Sequence, residues 1–178
     1  EWRKTWQLNE HDQFVAHASA GAIWSYGNST TAPYNEQLYV GGANSIRAFT
    51  IRSVGPGAYL PTEATSSYLD QTGDLKLLFD LEYRPRLFDN LYGAIFLDAG
   101  SVWSLKDDDY RPDSKFKIRN MFQQMAVGTG VGLRYDLDYF VIRVDWGIGL
   151  HLPYKHGFYN LPNFKDSQSL HLAIGYPF

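Results

Sequence analysis

The chain has no cysteine among its 178 residues, which excludes a disulfide framework and a cysteine-based metal site. It has no run of about 18 apolar residues, the length that a membrane-crossing helix needs, and Glu1-Trp2-Arg3-Lys4 does not open a signal peptide. It has no concentration of one charge sign either. Its 16 basic and 19 acidic residues are scattered, and without a basic arm or stripe they point to no nucleic-acid partner. Helical periodicity is almost absent. The start falls inside an aromatic, strand-like segment, Trp2 to Leu8, and reads as a cut, so the chain is expected to be a C-terminal piece of something longer.

What is present is alternation with a period of two, the signature of strands with two unlike faces. In 75–84, LKLLFDLEYR, Leu75, Leu77, Phe79, Leu81 and Tyr83 point one way while Lys76, Asp80, Glu82 and Arg84 point the other. In 139–150, Phe140, Ile142, Val144, Trp146, Ile148 and Leu150 oppose Arg143, Asp145, Gly147 and Gly149. In 124–137, Met125, Val127, Val131, Leu133 and Tyr135 alternate with Gln124, Gly128, Gly130, Gly132 and Arg134. At the end, Leu170, Leu172, Ile174, Tyr176 and Phe178 share a face opposite Ser169, His171, Ala173 and Gly175. Less regular strands are expected over 13–26 and 91–103, with 1–8 part of another.

Alternation alone does not separate a soluble sandwich from a membrane barrel. Three further features favour the barrel. The strands are near the roughly 9 to 11 residues that a tilted spanning strand needs, and charges of both signs gather on the polar face. The connections also alternate: 9–12, 85–90 and 137–138 are short, whereas 27–74, 106–123 and 151–168 are long. Short turns on one side and long loops on the other are the habit of outer-membrane barrels. Tyr83, Tyr92, Trp103, Tyr135, Tyr139 and Tyr176 lie near strand ends, where an interfacial aromatic girdle belongs. Six full strands and a fragment fall short of the minimum of eight for closure. The expected fold is therefore all-β: the C-terminal portion (1–178) of an antiparallel transmembrane β-barrel, with the long loop 27–74 folding into its lumen.

The middle of that loop, 39–59, reads YVGGANSIRAFTIRSVGPGAY, too rich in glycine and proline for a central strand and too apolar for a solvated loop. The lumen-facing sides of three strands are emptied by Gly100, by Gly128, Gly130 and Gly132, and by Gly147 and Gly149, a cluster able to receive another backbone. Each glycine taken singly also reads as a site of strand bending. An arginine carried inside must meet carboxylates, and Glu82 and Asp98 face it, so Arg47 is expected to clamp the loop to the wall. The alternative is a solvated Arg47, with Asp98 pairing Arg84 or Arg143.

At these residues the sequence resembles the Omp85 superfamily, which includes outer-membrane assembly factors of the BamA and TamA type and two-partner secretion transporters. Gly41, Gly42, Ile46, Arg47, Ala48 and Phe49 resemble its lumenal loop motif, Val-Arg-Gly-Phe, with Ile46 for Val and Ala48 for Gly. Leu81-Glu82-Tyr83-Arg84-Pro85 resembles the following strand's Glu-x-Arg-x-Pro pattern, and Phe96-Leu97-Asp98-Ala99-Gly100 resembles the next strand's Phe-x-Asp-x-Gly pattern. The terminal LHLAIGYPF resembles a barrel-assembly signal. The resemblance implies a barrel of about sixteen strands preceded by periplasmic domains, in the outer membrane of a Gram-negative bacterium. It implies assembly of other proteins into, or passage across, that membrane, without cofactor or covalent chemistry. The implied partners are outer-membrane lipid, client outer-membrane or secreted proteins and accessory subunits. Gly175, Pro177 and Phe178 would end a weakly paired seam strand that takes up a client strand.

Two other classes compete. A barrel enzyme would draw on His151, His156 and Asp166, or on the Ser-x-x-Lys spacing that opens Ser114-Lys115-Phe116-Lys117, although no Gly-x-Ser-x-Gly occurs. A passive pore would use the charged inner faces for selectivity. His17 and His171 read as hydrogen-bonded wall residues rather than metal ligands.

Overall fold

The structure is a computed structural model that describes residues 1–27, 29, 32–60, 71–154, 157–161 and 163–178. Seven strands form one sheet: β1 (Trp2–Gln7), β2 (Asp12–Ala22), β3 (Leu75–Phe88), β4 (Leu91–Trp103), β5 (Ala126–Asp136), β6 (Val141–His151) and β7 (Gln168–Ile174). Each pairs antiparallel with its neighbour in sequence, and β1 and β7 are the two edges. Among the described residues there is no α-helix, only short 3-10 turns such as Tyr34–Glu36 and Ile118–Asn120.

Burial runs opposite to that of a soluble sheet. On β6, Arg143 and Asp145 are 0% exposed while Ile142, Val144 and Trp146 lie in the open; on β3, Asp80, Glu82 and Arg84 are buried while Phe79 and Leu81 are exposed. Ile95 and Leu97 on β4, Val131 and Leu133 on β5, and Leu170, Leu172 and Ile174 on β7 extend the same apolar outer face. Leaving that much apolar surface in water costs about 25 cal/mol per Å², so this face belongs against hydrocarbon and the charged face lines an interior. Leu97 sits mid-strand between Leu81 and Thr129. Leu97→Arg is therefore expected to lower folding stability in bilayers by about 2–4 kcal/mol, with Leu97→Phe near neutral, as read by urea titration of the heat-modifiable band.

Several boundaries differ from the sequence expectation. The connection at 85–90 is only Asp89-Asn90, because β3 continues through Pro85 to Phe88. Pro85 is tolerated because the ladder to β4 passes from Tyr83↔Ile95 to Arg86↔Tyr92, so the missing N–H falls where pairing lapses, and Gly93 leaves room for its ring. The strand expected over 13–26 ends at Ala22, opposite Leu75 where β3 begins. The strand expected over 169–178 ends at Ile174, because Gly175 takes φ +90°. Tyr176 and Phe178 thus leave the outward row: Tyr176 lies over the Arg84 guanidinium at 4.4 Å, and Phe178 stacks on His17 of β2 at 5.0 Å. For the tail of β7 to meet β2, the sheet must curl around its charged face. Trp103 also departs from the expected girdle, being fully buried with its indole N–H bonded to Gln124.

Candidate functional site: a loop clamped to the inner face

The loop between β2 and β3 closes on itself before it docks. Gly42 N–H donates to Phe49 O (2.8 Å) and Arg52 N–H to Val40 O (3.0 Å), with Gly41 and Gly42 at φ +97° and +91°. A side chain at Gly41 would run into Thr50 O, so glycine is required there on two counts. Val40, Ile46, Ala48, Phe49 and Val54 then pack with Leu78, Val102, Ala126 and Leu152 of the wall. These residues form a buried apolar cluster between the loop and the inner face of the sheet.

The tip carries Arg47, which is 0% exposed. Its backbone N–H and its Nε both donate to Asp98 Oδ2 at 2.9 Å, and Nη2 donates to Asp98 Oδ1 at 2.7 Å. Nη1 donates to Glu82 Oε2. The guanidinium lies 3.7 Å from the centre of the Phe96 ring, so one face is covered by an aromatic platform while its edge is taken by carboxylates. Arg84 and Arg143 do not take Asp98. Arg84 Nε donates to Glu82 Oε1 at 2.6 Å, and Arg143 lies 3.6 Å from Asp145 Oδ2.

The network extends beyond the residues singled out from sequence. Arg134 of β5 pairs with Asp145 at 2.6 Å and with Glu82 at 3.3 Å. Arg143 of β6 donates to Ala43 O (2.9 Å) and Asn44 Oδ1 (2.6 Å), and His171 of β7 bonds Arg47 O at 2.8 Å. Asp80, directly opposite Asp98 in the ladder, bonds His17 at 2.7 Å. Four guanidiniums thus share three carboxylates, Glu82, Asp98 and Asp145, in one buried patch, and Arg143 fills its remaining needs with the neutral oxygens of Ala43 and Asn44. The inward charges were visible in the alternation, but their pairing is set by register.

The glycine cluster divides by function. A Cβ at Gly128 would overlap that of Ala48; one at Gly147 would lie 2.5 Å from Arg47 O and 2.8 Å from Ala48 Cα; one at Gly149 would lie 3.0 Å from the Phe49 ring. These three receive the loop. Gly130 instead makes room for the Trp146 carbonyl of β6 and the Phe96 ring, Gly132 for Asp145 and Arg134, and Gly100 for the backbone of β3. Gly175 forms the turn that ends β7, and Pro177 is buried.

Among the described residues, those of the enzyme alternative do not come together. Ser114 is buried with its Oγ unpartnered, Lys117 is exposed, and Lys115 pairs with Asp107 at 2.6 Å. His151 ties loops together, its ring nitrogens 3.2 Å from Gln123 O and 3.0 Å from Gly157 O. His156 and the side chain of Asp166 lie outside the described residues. Among the described residues no group of three or more His, Asp or Glu is placed to hold a metal.

Over 107 residues the chain is 34% identical to the sorting and assembly machinery component 50 homologs of Bos taurus and Homo sapiens, matching 56% of this chain and 21% of theirs, so it spans about a fifth of their length. Its fold is similar to that of BamA from Haemophilus ducreyi lacking POTRA domains 1-3, with a TM-score of 0.64 and 20% identity over 97% of this chain and 34% of that one. CdiB from Acinetobacter baumannii is also similar, with a TM-score of 0.53 and 18% identity over 97% of this chain and 25% of that one. Residues 1–178 match the family model of the Omp85 superfamily domain, and the chain belongs to that superfamily.

Proposed function

We propose that this chain is the C-terminal portion of an outer-membrane barrel that inserts client proteins into the outer membrane of a Gram-negative bacterium, through a lateral seam bordered by β7. The observation that carries this reading is the docked loop: Arg47, held by Asp98 and Glu82, seats an apolar plug on the inner face of an inside-out sheet. A passive pore has no need of such a plug. The relatives named as sorting and assembly machinery components support assembly as the task. The final strand suits a seam, since β7 is short: it pairs with Ile142 to Ile148 of β6, Gly175 N–H bonds Val141 O, and the chain then turns inward. The clamp of Gly41, Gly42, Ile46, Arg47, Ala48 and Phe49 on Glu82 and Asp98 would keep the barrel's shape while that seam opens. The remaining strands and the periplasmic domains would come from outside this chain. Outer-membrane lipid, client barrels and accessory subunits are the partners this reading requires, and covalent chemistry has no part in it.

The test is reconstitution of the full-length protein in liposomes with an unfolded client barrel. Arg47→Ala is expected to slow client folding by at least about tenfold, because breaking a buried pair is worth several kcal/mol and each 1.4 kcal/mol is tenfold. Full activity in that variant would overturn the reading, and a client recovered inside the vesicle rather than in its membrane would mark a secretion transporter. In planar bilayers, deleting residues 39–59 is expected to turn a blocked barrel into one with steady conductance; a steadily open channel before deletion would mark a pore.

A further inference from the structure

Arg47 is gripped at two ends by different walls. Its guanidinium is fastened to β3 and β4 through Glu82 and Asp98, whereas its carbonyl oxygen is bonded by His171 of β7 at 2.8 Å. A carbonyl oxygen only accepts, so this bond requires the tautomer with the proton on His171 Nε2. Ser169 Oγ, 2.9 Å from the same nitrogen, shares that N–H as a second acceptor. Next to β7, Arg143 of β6 donates to Ala43 O and Asn44 Oδ1, on the limb of the loop leading to Arg47. The outward neighbours of His171, Leu170 and Leu172, are 73% and 76% exposed, so the grip comes from the inner face of a strand whose other face is uncovered among the described residues.

We propose that His171, with Arg143 beside it, is a positioning residue that makes docking of the loop depend on the place of the terminal strand. With β7 paired to β6, the His171 bond closes on Arg47 O and the tip is held from both walls. When β7 moves away, that bond is lost and the tip is held by Asp98 and Glu82 alone. Such coupling is reciprocal, so a docked loop holds β7 in place by the same free energy. The mechanistic consequence rests on the seam reading above, but the resting-state bond and its test require no client.

The experiment uses the full-length protein with Val40→Cys as its sole cysteine, a near-isosteric reporter at a loop position that is 0% exposed while the loop is packed on the wall. Folded barrel, verified by heat-modifiable mobility, is exposed to a membrane-impermeant maleimide. His171→Met removes the donor at similar length, and His171→Gln keeps an N–H. Labelling is expected to rise about five- to tenfold in His171→Met, the factor that one net hydrogen bond contributes to local opening, and to stay near the parent rate in His171→Gln. Equal rates in the two would overturn the proposal. Leu172→Gly, which weakens pairing with Val144 on the outer face, is expected to raise labelling in the parent but add little in His171→Met. An equal rise in both backgrounds would refute the dependence on β7. Unchanged client assembly in His171→Met and Leu172→Gly, with these labelling results intact, would instead count against the seam reading alone.

Discussion

Asp98→Asn is expected to destabilise the folded barrel by about 3 kcal/mol, the lower end of the range for breaking a buried ion pair. The direction follows from what remains. Arg47 stays 0% exposed, Phe96 still covers its face, and two of its donors lose the charged oxygens that they share with the backbone N–H. The effect stays at the lower end because Glu82 continues to accept from Nη1. Glu82 does not make good the whole loss, since it also serves Arg84 and Arg134. The measurement is the denaturant midpoint of the heat-modifiable band in lipid. Combining Asp98→Leu with Arg47→Met is expected to recover part of the loss, because an apolar pair leaves no buried charge unmatched. Two single changes that add, with no coupling between positions 47 and 98, would show that the pair does not hold the loop.

Gly147→Ala is expected to keep the loop from docking. The new methyl group would sit 2.5 Å from Arg47 O and 2.8 Å from the backbone of Ala48, and a backbone held by Asp98 and His171 has no small adjustment available. Gly128→Ala differs in an instructive way, because its collision is with the Ala48 side chain itself. Ala48→Gly, the residue usual in the family's motif, is therefore expected to rescue Gly128→Ala while leaving Gly147→Ala impaired. Overpacking of this kind costs about 1–3 kcal/mol where the surroundings can yield, and more where, as at Gly147, they are backbone. Protection of the Val40→Cys reporter and single-channel conductance both read the outcome. Rescue of Gly147→Ala by Ala48→Gly would mean that the close approach at β6 is not what limits docking.

The strands were legible because alternation is a local property: Arg143 and Asp145 lie on one side of β6 and Val144 and Trp146 on the other, whatever the neighbours do. The encounter of Arg47 with Glu82 and Asp98 was legible for a related reason, since few carboxylates stood on the faces that the glycines left open. The glycines themselves were only partly legible. Gly128, Gly147 and Gly149 receive the loop, whereas Gly130 and Gly132 make room for atoms of the sheet itself, a difference that depends on which residue of a neighbouring strand lies opposite. The last residues misled, because period two carried Tyr176 and Phe178 outward on paper, and a single positive φ at Gly175 turned them in.

By itself the sequence determined that this is a sheet with a charged face and an apolar face, and that an arginine-bearing loop belongs on the charged one. Both follow from the period of the strand and from the cost of burying an unpaired charge. Tertiary structure alone decided that Arg134 meets Asp145, that Arg143 reaches Asn44, and that His171 closes on the carbonyl of Arg47. Those partners are up to 124 residues apart in the chain. Register and the curl of the sheet bring them together, and neither is written in any local pattern.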